Sequence, residues 1–299
     1  MYRNAYLLLI LTTLFWGGNS VAGKLAVGHV SPMLLTAVRW GLAAVILAAI
    51  GWPRLRADWP TVRKHFWLLT GLGVLGFTVF NAALYTALNF TTAINTSIEQ
   101  AGIPMIIFAA NFVLFRTRVT PAQILGFMLS LIGVALTASH GSMERLLALD
   151  MNFGDALMLI AVLVYSAYTV ALRFKPEIHW QSLMIMLTGS AFVTSIPFAI
   201  WEFGTGRGIV PDATGWALIA YIVIFPSLAA QVFYIRGVEL IGANRAGLFI
   251  NMVPIFGTLL SVVIIGEDFQ LYHGVAMVLV LGGIWLAENS GRKMAQRQR

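Results

Sequence analysis

Residues 93–115 read AINTSIEQAGIPMIIFAANFVLF, and residues 242–265 read GANRAGLFINMVPIFGTLLSVVII. Each is a turn of small and polar residues running into an apolar segment with a proline near its middle, Pro104 in one and Pro254 in the other. The offset of 150 between the prolines recurs: Phe115 falls on Ile265 and Gly133 on Gly283. At an offset of 149, Trp16 falls on Tyr165, Ser20 on Thr169, Lys24 on Arg173, Tyr85 on Tyr234 and Asn95 on Asn244. Self-similarity at half the chain length marks a duplicated unit.

Composition says what surrounds that unit. Of 299 residues, 59% are hydrophobic and 10% charged, and the mean hydropathy is +0.83. A soluble domain carries about 25% charged residues to wet its surface. A tenth is too few, so lipid is the expected solvent and an all-α polytopic membrane protein the expected class. Soluble catalysis, disorder and nucleic-acid binding are excluded on the same ground. The net charge of +7 reports loop orientation in such a protein and calls for no anionic partner. With no cysteine, disulfides, thiolate metal sites and cysteine nucleophiles are excluded.

A helix needs roughly 20 apolar residues to cross the hydrocarbon core. Charges and turn residues divide the chain into ten such spans: 5–23, 32–51, 67–88, 93–115, 121–139, 154–173, 180–201, 214–235, 243–265 and 271–288. The first is too long for a cleaved signal peptide, and Gly17-Gly18-Asn19 is a poor cleavage context, so it is expected to remain as a helix. With the N-terminus inside, fourteen of the nineteen Lys and Arg fall in inner segments. Three (Lys24, Arg145 and Arg207) fall in outer segments, and Arg39 and Arg245 lie within spans. The bias predicts that both termini are cytoplasmic. Trp52, Trp59, Trp67, Trp180, Trp201 and Trp216 sit near span ends, as an interfacial belt requires.

Two halves, 1–145 and 146–299, then hold five helices each. Five is odd, so the second half threads the membrane upside down. Inverted repeats are a transporter architecture, with the site near the midplane between the halves.

Several residues could line such a site. Trp16 and Asn19, Asn81 and Tyr85, Tyr165 and Tyr168, and Gln231 and Tyr234 are paired at helical spacing, so each pair shares a face. Gln100 and Asn251 flank the prolines. Rings with a few amides and hydroxyls are how small-molecule pockets are built. For any one of these residues, interhelical hydrogen bonding is the competing reading. Pro104 and Pro254 are expected to break their helices across the site, with Gly17 and Gly18 as hinge or gating residues. The charges read as lying inside the membrane are Arg39, Glu99 and Arg245. Arg39 and Glu99 have similar depth and are expected to form an ion pair, which offsets the roughly 2.5–3.5 kcal/mol of each central charge. Alternatively, Glu99 faces the cavity and meets an ammonium group or a proton. Arg245 is expected to snorkel. All five histidines fall in loops or at span ends, so no intramembrane histidine relay is expected. Gly126, Ser130 and Gly133, and Gly274, Gly282 and Gly283, give two small-residue faces suited to scaffold or dimer packing. No acid, base and nucleophile cluster, and no metal-ligand spacing appears; an enzyme, a metal and a cofactor are not expected.

The Trp16-Gly17-Gly18-Asn19 start, the Pro32 to Arg39 spacing and the two proline segments, each followed by a glycine-containing helix, resemble the drug/metabolite transporter superfamily, EamA type. The resemblance spans nearly the whole chain and is nearest to the YddG-like exporters of aromatic amino acids. It departs at Phe115-Arg116-Thr117, where the second repeat has the Gly266-Glu267 that the family favours. The resemblance implies an inner-membrane, multi-pass secondary transporter, monomer or homodimer, that exports aromatic or hydrophobic amino acids, with Thr or Met among them, by alternating access. Hydrophobic cationic drugs or other metabolites are the alternative cargo. A non-transport membrane scaffold is the alternative role.

Overall fold

A computed structural model describes residues 2–116, 120–142, 144, 152–241 and 249–297. Arg118, Arg145, Asn244 and Arg245 lie outside the described residues. Those described are all helical or connecting, with no strand among them. Eight helices are long and apolar enough to cross a membrane: α1 (Asn4–Leu25), α2 (Pro32–Lys64), α3 (Phe66–Ala87), α4 (Ala93–Leu114), α5 (Pro121–Ala138), α6 (Phe153–Phe174), α7 (Trp180–Gly204) and α8 (Ala213–Gly237). Two shorter apolar helices follow, α9 (Val253–Ile265) and α10 (Leu271–Ala287). Below, the far end is where α1 stops and the near end is where it starts.

Most spans agree with the hydropathy reading, but α2 does not stop at 51. It continues through Pro53 and Pro60 to Lys64, about 50 Å at 1.5 Å per residue. Charge ends an apolar span without ending a helix, and buried Leu55 and Val62 hold the extension against the protein.

The helices pair antiparallel. Along α2 and α7, Gly41 meets Phe192 while Gly51 meets Ile185. Along α5 and α10, Gly126 meets Gly283 while Gly133 meets Ala276 and Val280. Thr12 on α1 donates to the Ala230 carbonyl and Trp16 to that of Pro226, so α8 runs against α1. Gly76 meets Tyr168 and Gly154 meets Ala87, so α6 runs against α3. Further contacts join α1 to α9, α4 to α6 and α4 to α9.

Buried helix ends need partners, because the first N–H groups have none within the helix. The N-cap of α2, Ser31, makes no side-chain cap bond. The Glu202 carboxylate, from the last turn of α7, accepts instead from Met33 and Leu34 N–H at 3.1–3.3 Å. At the near end the arrangement reverses. Asp58, late in α2, accepts from the His179 N–H at the start of α7, at 2.8 Å. Each helix of the pair thus caps the other. A third such cap closes α4: Ala93 and Ile94 N–H donate to the two oxygens of Glu267, while Thr92 Oγ1 takes Asn95 N–H. At the far surface, the N–H of Gly215 and the His29 ring hold the Asp212 carboxyl below its ordinary range. That clasp between connections is therefore present at neutral pH and is lost as pH falls through the lowered value.

The small-residue faces of α5 and α10 are spent on each other within one chain, and Ser130 Oγ donates to the Val280 carbonyl. Gly282 is not part of this contact and faces open space. This separates two neighbouring glycines. A Cβ on Gly283 would lie 2.4 Å from the Gly126 carbonyl oxygen, whereas one on Gly282 meets nothing within 4 Å. Gly283→Ala is expected to destabilise by about 1–3 kcal/mol through overpacking and Gly282→Ala to leave stability unchanged, read as melting temperatures of the two variants in detergent. Glu202→Ala, which strips two part-buried N–H groups of their acceptor, is expected to cost about 1 kcal/mol. An unchanged melting temperature would show that water replaces the cap.

Candidate functional site

The buried centre of the molecule is organised by Arg39. Its guanidinium is 5% exposed and reaches three other helices. Nη1 donates to Asn19 Oδ1 on α1 at 3.1 Å, to Asn81 Oδ1 on α3 at 2.7 Å and to the Tyr85 hydroxyl. Nε donates to Ser227 Oγ on α8 at 2.7 Å. The guanidinium carbon also lies 4.5 Å above the Trp40 ring. Its hydrogen-bond partners among the described residues are all neutral.

The expected Arg39–Glu99 ion pair is therefore absent. Counting residues from the span ends matched them in depth, but they do not share a face. Arg39 points toward α1, α3 and α8, while Glu99 lies in α4, which packs against α6 and α9. Both Glu99 carboxylate oxygens are fully buried without a hydrogen-bond partner.

Two π-helical turns bring the polar backbone to Arg39. They occupy Val74–Val79 in α3 and Val223–Ala229 in α8. Such turns are uncommon and concentrate at functional sites. In α3 the Phe77 carbonyl accepts from both Trp40 Nε1 and Asn81 Nδ2, at 3.0 and 2.8 Å. In α8, Pro226 has no N–H to give the Ile222 carbonyl. Ser227 Oγ donates to that carbonyl at 2.7 Å and accepts from Arg39 Nε.

Aromatic rings continue from this node. Trp40 stacks on Phe77 at 4.4 Å and 12°. Phe77 meets Tyr168, Tyr168 meets Tyr165, and Tyr165 meets Phe80 at 4.7 Å. Tyr165 packs against both central clusters of buried side chains and lies within charge-interaction range of Arg39 and Tyr234. Trp16 packs on Tyr234 at 5.5 Å and donates to the Pro226 carbonyl.

Of the expected site residues, Asn19, Asn81 and Tyr85 therefore meet at Arg39. Tyr165 and Tyr168 form the adjoining ring surface, with Trp16 and Tyr234 beside it. Gln100 is tied to Ser20 on α1 at 3.1 Å. Gln231 and Asn251 are half-buried and stand outside the Arg39 network. Pro104 and Pro254 do not sit mid-helix. Each opens a new segment after a two-residue turn, Ala101-Gly102 and Asn251-Met252. A proline is well placed in a first turn, where its missing N–H has no intrahelical acceptor. Gly17 and Gly18 make no break, since α1 is continuous through them. They are points of close approach: a Cβ on Gly17 would lie 2.7 Å from Gly257 N, and one on Gly18 2.3 Å from the Tyr221 hydroxyl.

The sequence reading missed a second polar cluster, at the far end. Asp155 is fully buried and accepts from Thr91 Oγ1. It also pairs with His140 Nε2 at 2.7 Å and is 3.5 Å from Asn95 Nδ2. Asn95 Oδ1 is 3.0 Å from Nε2 of His273, a residue 2% exposed. Two histidines expected in loops or at span ends thus belong to it: His140 pairs with the Asp155 carboxylate and His273 meets Asn95. Among the described residues, no group of His, Cys, Asp and Glu could hold a metal ion.

Comparison with known proteins places this geometry. The chain is 25% identical to the uncharacterized transporter YetK of Bacillus subtilis, over 94% of this chain and 86% of that one. It is 26% identical to an uncharacterized transporter of Archaeoglobus fulgidus, over 96% and 98%. A solved crystal structure matches with a TM-score of 0.63 over 98% of this chain and 99% of its own. At 21% identity it supports the fold alone. The sequence model of the EamA-like transporter family matches twice, over residues 3–139 and 152–288, and the chain belongs to that family of membrane transporters.

Proposed function

We propose that this protein exports amino acids, aromatic and hydrophobic ones first and Thr or Met among them, across the plasma (inner) membrane as YddG-like exporters do. The observation that carries this reading is Arg39. A buried cation with only neutral partners leaves a net positive potential at the centre of the protein. A solute carboxylate is its natural complement. The rings of Trp16, Phe80, Tyr165, Tyr168 and Tyr234 offer apolar area beside it. Cationic drugs would need an acid facing that surface, and Glu99 is fully buried in α4.

The architecture we propose is two five-helix halves, 1–145 and 146–299, threaded in opposite directions with both termini cytoplasmic. Four features support it. Exchanging the halves maps the α2–α7 and α5–α10 pairs onto themselves and the α1–α8 pair onto α6–α3. The π-turns start 149 residues apart. The proline restarts recur at Pro104 and Pro254. The α2–α7 caps are reciprocal.

Alternating access then divides the labour. The α2–α7 and α5–α10 pairs are locked by caps and interlocked glycines, so they serve as frame. Helices α3, α4, α8 and α9 carry the π-turns and restarts and, with α1 and α6, form the moving part. Rocking them past Arg39 would expose the bound solute to one face and then the other.

The test is flux in proteoliposomes with Phe, Trp, Tyr, Thr and Met, alongside phenethylamine, which keeps the ring and amine but lacks the carboxylate. Amino-acid flux without phenethylamine flux is expected. Arg39→Gln removes a charged hydrogen bond of about 1.5–3 kcal/mol, so flux is expected to fall at least tenfold. Flux of an unrelated solute with none of the five amino acids would reject the cargo. Equal flux of phenethylamine would reject the role of Arg39.

A further inference from the structure

The first piece of α4, Ala93–Gln100, is buried from Ala93 to Glu99 and ends in the unpartnered Glu99 carboxylate. Burial of an anion with no hydrogen bond is severely unfavourable, and such groups persist as the neutral acid. The elements packed against this piece bring these titratable and charged groups to its surroundings. From α6 comes Asp155, within charge-interaction range of Glu99. After α5 comes His140. From α10 come Tyr272 and His273. After α9 comes Glu267, committed to the α4 N-terminus. From α1 comes Lys24, whose ammonium is committed to the Leu88 and Thr91 carbonyls. None donates a hydrogen bond to Glu99.

These groups connect stepwise from the surface as far as Asn95. His140 is 29% exposed while its partner Asp155 is fully buried. Asp155 touches Thr91 and Asn95. Asn95 sits one turn above Glu99 on the same helix face and also meets His273. The set's titratable members, unlike Asn95, are not repeated in kind in the other half. At an offset of 149, Asp155 falls on Tyr6, His140 on Asn289 and His273 on Ile124, and Glu99 falls on Leu248. Shared repeat packing therefore does not require it.

We propose that Glu99 is a proton-binding site that couples this transporter to the proton gradient, loaded from the far end through His140 and Asp155. The inference rests on the transport reading above. Protons from external water enter at His140, pass to Asp155 and reach Glu99 across the Asn95 turn. The only bonds made and broken are O–H and N–H, and the proton leaves to the other side when the bundle rocks. An inward proton then accompanies each outward solute.

The test uses the full chain in lipid vesicles and infrared difference spectra as external pH is stepped from neutral to alkaline. The wild type is expected to lose a carboxylic-acid C=O band that is missing from Glu99→Gln and displaced in Glu99→Asp. His140→Ala is expected to keep the band and slow its response to external pH at least tenfold. A band that persists in Glu99→Gln, or a wild type with no titrating band, overturns the proposal. In the same vesicles, L-phenylalanine flux should follow an imposed pH gradient and Glu99→Gln should abolish that dependence. A gradient response that survives in Glu99→Gln overturns the coupling role. A titrating band without flux of any amino acid keeps the proton site and overturns the cargo reading.

Discussion

A guanidinium held in an apolar interior by neutral oxygens is the constraint around which the rest is arranged. Arg39 cannot lose its proton to relieve the desolvation, so each N–H that it buries needs an acceptor. Asn19, Asn81, Tyr85 and Ser227 supply them for Nε and Nη1 from three other helices. Those acceptors fix the rotation of α1, α3 and α8 about their own axes. The π-turns follow from the same demand, since one turn frees the Phe77 carbonyl for Trp40 and Asn81, and the other sets Ser227 toward Nε. Moving any of these helices along its axis would strip an acceptor from the cation. The fold accordingly keeps its polar centre on helices that approach closely through glycine, such as Gly17 against Gly257 and Gly76 against Tyr168.

The helix ends obey the same accounting by another route. In apolar surroundings every backbone polar group must be satisfied within the protein. Glu202, Asp58 and Glu267 do this across sequence separations of 121 to 174 residues. A carboxylate at a helix N-terminus also complements the macrodipole, so these acids are compensated while buried or half-buried. This explains why a chain with few acids places three of them at helix starts.

Much of the fold was legible because lipid leaves strong marks on a sequence. Charge-free runs delimited most helices, and the doubled proline segments gave the repeat. The α2 extension was hidden because charges such as Arg54 and Arg56 end an apolar run without ending helical geometry. The π-turns were hidden because hydropathy has no signal for a one-residue change in register. Within the site, Asn19, Asn81 and Tyr85 were legible as polar residues at helical spacing inside spans. Their shared partner was not, because depth alone matched Arg39 with Glu99, and depth is blind to which way a side chain faces. His140 and His273 were read as loop or span-end residues, and Asp155 was not singled out at all. Only packing shows that those ends fold inward onto α4.

The separation of Arg39 from Glu99 is itself informative. Pairing them would have answered the desolvation of both, and counting from the span ends puts the two at similar depth. The fold surrounds the cation with neutral dipoles and leaves the acid with none. A site built only for stability gains nothing from either choice, because a neutral side chain at each position would remove the problem. Keeping both charges apart makes sense where each is completed by something that comes and goes. On the proposed reading, Arg39 awaits a carboxylate, and Glu99, the neutral acid at rest, releases and regains a proton. Their separation keeps either from satisfying the other when the chamber is empty. The coupling between solute and proton then has to pass through the helices between them, chiefly α1, which offers Asn19 to Arg39 and Ser20 to Gln100, the residue next to Glu99.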